Sequence, residues 1–168
     1  TVTITANVDP TLTFSNDDNA IGFGTLSSTD ERYANAAATG SGTRVTAHTL
    51  AIGTNATSGY TLTYNGPTLT SGANTIPGAD INADADGTNG TSQFALSGTE
   101  TGDGAMVTDY NAVTPNWDFI PSVATTIASA SGVVSSSSIA MEYISNVSAA
   151  QPAGGYTTSI NYVVTGNF

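Results

Sequence analysis

Residues 1–14 alternate without interruption between apolar and polar side chains. Val2, Ile4, Ala6, Val8, Pro10, Leu12 and Phe14 fall on one side; Thr1, Thr3, Thr5, Asn7, Asp9, Thr11 and Thr13 fall on the other. A period of two marks a β-strand with one dry face and one wet face. Fully extended, the run would reach roughly 45 Å at ~3.3 Å per residue, well beyond a typical strand of about five or six residues. Pro10 lacks an N–H and is poorly tolerated in a central strand, so the run divides there. The pattern predicts a strand over Thr1–Val8, a hinge at Asp9-Pro10 and a second strand over Thr11–Ser15. A chain that starts inside a strand pattern, with no signal peptide, points to a processed, mature N-terminus.

Further alternation and turn chemistry extend the β reading along the chain. Strands are expected over Ile21–Leu26, Thr43–Thr54, Tyr60–Tyr64, Gln93–Ser97, Val123–Ser129, Ile139–Val147 and Tyr156–Phe168. Tyr60, Leu62 and Tyr64 line one face of their strand, and Tyr156, Thr158, Ile160, Tyr162, Val164 and Phe168 share one side of the last. Ser27–Gly42, residues 71–92 and residues 98–118 read as loops, and Ser135–Ser138 reads as a flexible loop and a candidate O-glycan site. No segment makes a convincing helix. A length of 168 residues suits one domain with elaborated loops. The expected fold is all-β: an antiparallel β-sandwich, jelly-roll or immunoglobulin-like, with residues 1–10 as strand and hinge and residues 11–168 as its body.

Charge narrows the partners. The chain has no lysine; Arg32 and Arg44 face thirteen acids, for a net charge of −11. Affinity for phosphate comes mainly from Lys and Arg, so nucleic acid and anionic membranes are disfavoured. Cations, glycans or another copy of the protein suit the surface better. The lack of lysine also excludes Lys–Asn isopeptide bonds and sortase linkage through a pilin lysine. With no cysteine there is no disulfide, thiol nucleophile or thiolate metal site. No apolar run reaches the ~20 residues of a membrane span. The Thr/Ser/Asn/Gly-rich composition suggests an extracellular or cell-surface setting.

The sequence offers little for catalysis. His48 is the one histidine and lies in a predicted strand, where a structural role is the ordinary one. There is no nucleophile elbow and no phosphate-cradling loop. The expectation is a protein that is not an enzyme and needs no cofactor, with Ca²⁺ as the one candidate ion. Asp80, Asn82, Asp84 and Asp86 alternate before Gly87, as hard-oxygen ligands do in Ca²⁺ loops. An EF-hand is excluded, because Gln93 stands where a bidentate Glu is needed and flanking helices are lacking. Asn55, Asn89 and Asn146 begin N-x-[ST] sequons and are candidate glycosylation sites. Tyr110, Trp117 and Phe119 could stack on a sugar, although Trp117 and Phe119 read more readily as core.

Two segments carry a resemblance: Thr54-Asn-Ala-Thr-Ser-Gly-Tyr-Thr-Leu-Thr63, and Ala153-Gly-Gly-Tyr-Thr-Thr-Ser-Ile-Asn-Tyr-Val-Val-Thr165. They resemble WxL-type bacterial cell-surface domains, whose last strand follows a Gly-Tyr-Thr-Thr start. Tyr162 and Val164 stand here at the Trp-x-Leu positions. The overall plan is similar to fibre subunits of the chaperone–usher pilins and TasA-like matrix fibres. In those, a terminal strand completes the sheet of the next subunit. This resemblance implies a head-to-tail homopolymer, a pilus or matrix fibre, with Val2, Ile4, Ala6 and Val8 as the donor face and Asp9 and Pro10 as the hinge. The alternative is a monomeric adhesin or cell-wall- or glycan-binding module in which the first strand pairs within its own sandwich.

Overall fold

The structure, a computed structural model, describes residues 2–81 and 87–168. Eleven strands follow one another along these residues: β1 (Leu12–Asn16), β2 (Arg32–Tyr33), β3 (His48–Thr54), β4 (Tyr60–Asn65), β5 (Leu69–Ser71), β6 (Asn74–Ile76), β7 (Gln93–Gly102), β8 (Ala105–Met106), β9 (Thr125–Ala130), β10 (Val134–Asn146) and β11 (Asn161–Gly166). A single 3₁₀ turn spans Thr108–Tyr110. All named strand pairs are antiparallel. The fold is an all-β sandwich.

One sheet runs β1-β3-β10-β7, and β2 pairs with β10 at Ile144 and Ser145 on the β3 side, beyond the end of β3. The second runs β11-β4-β9-β8, and β5-β6 forms a small hairpin beside them. Period-two patterning sets the inner faces. In β3, His48, Leu50, Ile52 and Thr54 are buried; in β4, Tyr60, Leu62 and Tyr64 are fully buried. Trp117, Phe94, Phe119, Ile127, Ile139 and Met141 complete the core between the sheets. Burying Tyr is tolerable when its hydroxyl finds a partner. Tyr60 Oη and Ser137 Oγ lie 2.8 Å apart, and Ser137 Oγ donates to Glu100 at 2.9 Å. Tyr110 Oη donates to Asp118 Oδ2 at 2.9 Å.

Several expectations need correction. Residues 2–11 form no strand, so the strand expected over Thr1–Val8 is unpaired along its described residues. Ile21–Leu26 is a loop held by bridges from Gly22 to Asn35 and from Phe23 to Thr39. The strand expected from Thr43 begins only at His48; beyond Met141 the same edge of β10 pairs with β2 at Ile144 and Ser145. Part of the supposed loop 71–92 belongs to the β5-β6 hairpin, and β7 continues to Gly102. Ser135–Ser138 is not a flexible loop. It lies within β10, flanked by β3 and β7, and Ser137 is buried. The last strand is shorter than expected: only Asn161–Gly166 pairs with β4, while Thr157 bridges to Thr70.

Candidate functional site

The residues leading into β1 form an arm. Val2, Ile4 and Val8 are 86%, 89% and 86% exposed, and every described residue from 2 to 15 is exposed. The arm is anchored at its root. Thr11 N donates to Asn55 Oδ1 at 2.7 Å, Asn55 Nδ2 donates to the Asp9 carbonyl at 2.7 Å, and Thr54 Oγ1 donates to the Thr11 carbonyl at 2.8 Å. Asp9 and Pro10 thus sit where a fixed root gives way to an unpaired apolar repeat.

A seam runs along the same side of the sandwich. Leu12 and Phe14 pair directly with Thr54 and Ile52, so they point towards the same inner face as those buried residues. Both nevertheless remain 40% exposed. The sheet offset explains this. Tyr162 of β11 packs 5.7 Å from the His48 ring of β3, and Tyr60 of β4 bonds Ser137 of β10. β11 therefore lies over β3, and no strand lies opposite β1 among the described residues. Tyr162 and Val164, the inward residues of β11, are only half-buried, and the outer edge of β11 has no strand partner among the described residues.

The seam ends at a cleft of about 880 Å³, whose walls are the segment 18–26 and the segment 152–160. Asn16, His48 and Tyr162 line it where it meets the seam. Its inner surface carries a polar row. His48 Nε2 lies 2.7 Å from Tyr143 Oη, Tyr143 bonds Tyr162 Oη, and the His48 ring stacks on Tyr143. Burial lowers the His48 pKa against the pull of Asp17 and Asp18, so the imidazole is neutral near pH 7. Burial likewise raises both phenols. His48 Nδ1 has no hydrogen-bond partner among the described residues. Asp17 is outside the cleft and accepts from Thr49 N at 2.6 Å, a bond that lowers its pKa.

Arg32 braces one wall, donating to the Thr39 carbonyl at 3.0 Å and the Phe23 carbonyl at 3.4 Å. Gly40 makes this crossing possible. At φ +70 a Cβ there would stand 1.9 Å from the Phe23 oxygen. Arg44 bonds Glu142 at 2.8 Å and lies 5.1 Å over the Trp117 ring. Both arginines therefore make contacts within the fold.

Other predicted site residues lie elsewhere. Asn82, Asp84 and Asp86 fall outside the described residues, as does Thr1; Asp80 is exposed. No group of three or more metal-ligating His, Cys, Asp or Glu side chains occurs among the described residues. Asn55 anchors the arm, and Asn146 is fully buried, its Nδ2 donating to Asn89 Oδ1 at 3.1 Å. Tyr110, Trp117 and Phe119 are all core. Val2, Ile4, Ala6 and Val8 are together on the arm. The seam residues Leu12, Phe14, Tyr162 and Val164 were not singled out from sequence as an interface. The signal for Leu12 and Phe14 was present, because the arm's apolar repeat continues through both. Comparison of the chain with protein-family models, curated proteins and solved structures finds no match.

Proposed function

We propose that this protein is a structural subunit of an extracellular filament, joined head to tail by residues 2–8. One observation carries the reading: an uninterrupted apolar repeat, Val2, Ile4, Ala6 and Val8, that its own sandwich leaves in water. An exposed strand-like segment is normally blunted by charge or proline. Residues 2–8 contain neither. Burying the four side chains against another subunit contributes on the order of 5 kcal/mol at ~25 cal/mol/Å², with backbone pairing in addition. A contact between two different surfaces does not close on itself and yields an open chain of subunits.

The test is electron microscopy and size-exclusion chromatography of the full chain beside a variant lacking residues 2–8. The full chain is expected to form uniform fibres. The shortened chain is expected to stay monomeric with its melting temperature nearly unchanged, since the arm adds nothing to the core. A full chain that stays monomeric at all concentrations overturns the reading. So does a truncation that unfolds the body, because the arm would then be an internal strand.

A further inference from the structure

We infer that the acceptor for the arm is the seam beside β11 of a second copy, where residues 2–8 add an antiparallel strand opposite that copy's β1. The inference rests on the filament reading and specifies which surface receives the arm and in which direction.

Position selects a second copy over self-insertion. The arm leaves from the start of β1, next to Thr54 and Asn55 at the end of β3. The cleft lies at the other end of the same strands, where Asn16 ends β1, His48 begins β3 and Tyr162 lies in the first pair of residues of β11. Seven residues of β3 separate the two ends, about 20 Å at ~3.3 Å per residue. An arm that continues the line of β1 therefore points away from its own cleft. To enter its own seam it would have to reverse at Asp9-Pro10, immediately beside the anchor at Thr11. A second copy stacked in the same orientation presents its cleft to the oncoming arm.

Direction and length then follow. β1 runs from the arm end towards the cleft end, and β11 runs from the cleft end back. An arm in line with β1 of its own subunit meets β11 of the next antiparallel. Residues 2–8 span about 23 Å extended, enough to cover the six residues of β11. Val8 would sit near the cleft and Val2 near Gly166. Val2, Ile4, Ala6 and Val8 would face Leu12, Phe14 and Val164 and cover their exposed sides. The even-numbered apolar set faces inward only if Thr3, Thr5 and Asn7 face solvent alongside Val163, which is 53% exposed. Charge also suits this occupant. Two bodies of net charge −11 repel, whereas residues 2–8 bring no charge into the seam.

The absence of native cysteine gives a clean test by disulfide trapping. Full-length chains carrying Thr3→Cys, Thr5→Cys or Asn7→Cys are each mixed with a Val163→Cys chain and oxidised under conditions in which the wild type assembles. At least one mixture is expected to yield a heterodimer band that reductant removes, and the double variant of that pair should give a covalent ladder. Wild-type fibres with no arm cross-link to Val163→Cys overturn the acceptor assignment while leaving the filament reading standing. Cross-linking instead to Ser15→Cys, on β1, also overturns it, as does a double variant that closes only within single chains. A wild type that forms no polymer removes the filament reading, and this inference with it.

Discussion

At the scale of single residues, three polar side chains do more than their neighbours suggest. His48 is neutral in the fold because burial depresses its pKa below the ordinary 6.5. The groups facing it are the Tyr143 and Tyr162 phenols, with Asp17 and Asp18 as the nearest charges. Protons bind the unfolded imidazole first, so its contribution to stability is complete above pH ~6.5 and is lost as pH falls through the folded value. Asp118 works in the opposite sense. Its raised pKa favours the fold below 3.8 and loses that contribution as pH rises through the folded value. Thermal melts are expected to fall in temperature from about pH 6.5 downward, and His48→Gln should flatten that descent. An unchanged profile in the variant would remove His48 as the source. Asn55 is the third residue. Asn55→Ala deletes two of the three side-chain bonds that hold the arm root and leaves the one from Thr54, at a cost of about 1 kcal/mol for bonds as exposed as these. Amide exchange at Thr11 should accelerate while that at the β4 core stays slow. Equal acceleration at both would mean global destabilisation and not a freed root.

At the scale of elements, the turn from β3 to β4 carries the chain from one sheet to the other, and Gly59 makes it fit. Its φ is +75, and a Cβ there would lie 2.0 Å from the Ala130 oxygen. Its N–H bonds the Ala56 carbonyl and its carbonyl accepts from Asn167 N. Gly59→Ala is expected to cost more than ~2 kcal/mol, read as a lower denaturant midpoint, because the backbone of β9 cannot yield as a flexible side chain would. A loss under ~1 kcal/mol would show that the turn relaxes. The same scale shows what was legible in the sequence. Strands with one wholly buried face, such as Tyr60-Leu62-Tyr64, were readable because alternation records burial directly. Ser135–Ser138 was not, because a serine run looks like a loop; partners distant in sequence, Tyr60 and Glu100, satisfy Ser137 and make the run part of a central strand. Thr43–Ala47 failed in the other direction, since β2 takes the edge of β10 beyond Met141 and leaves these residues no ladder to extend. The arm was readable as amphipathic, but its seam was not. Whether β11 lies over β1 or over β3 depends on how two sheets pack, which no local pattern encodes.

At the scale of the whole molecule, charge and the neutral arm act against each other. Each subunit carries −11, and both arginines make contacts within the fold, so end-to-end stacking brings two acidic bodies together. The screening length falls from about 30 Å at 0.01 M salt to about 8 Å at 0.15 M, below the reach of an extended arm. Repulsion between bodies separated by the hinge is then largely removed, while the apolar contact of residues 2–8 is not weakened. Assembly followed by light scattering should therefore be several-fold faster at about 0.15 M sodium chloride than at about 0.01 M. A synthetic peptide of residues 2–8, which carries no side-chain charge, should bind the arm-deleted body with little change over the same range. Placing a charge on the arm's inner face separates the two effects. Val8→Asp should abolish assembly at both salt concentrations, because a carboxylate buried without a partner costs several kcal/mol that screening in solvent does not return. Its body should melt as the wild type does, since Val8 is 86% exposed there. If salt rescued Val8→Asp to wild-type rates, the arm would act through long-range charge alone, and the insertion of its apolar face into a neighbour would be wrong.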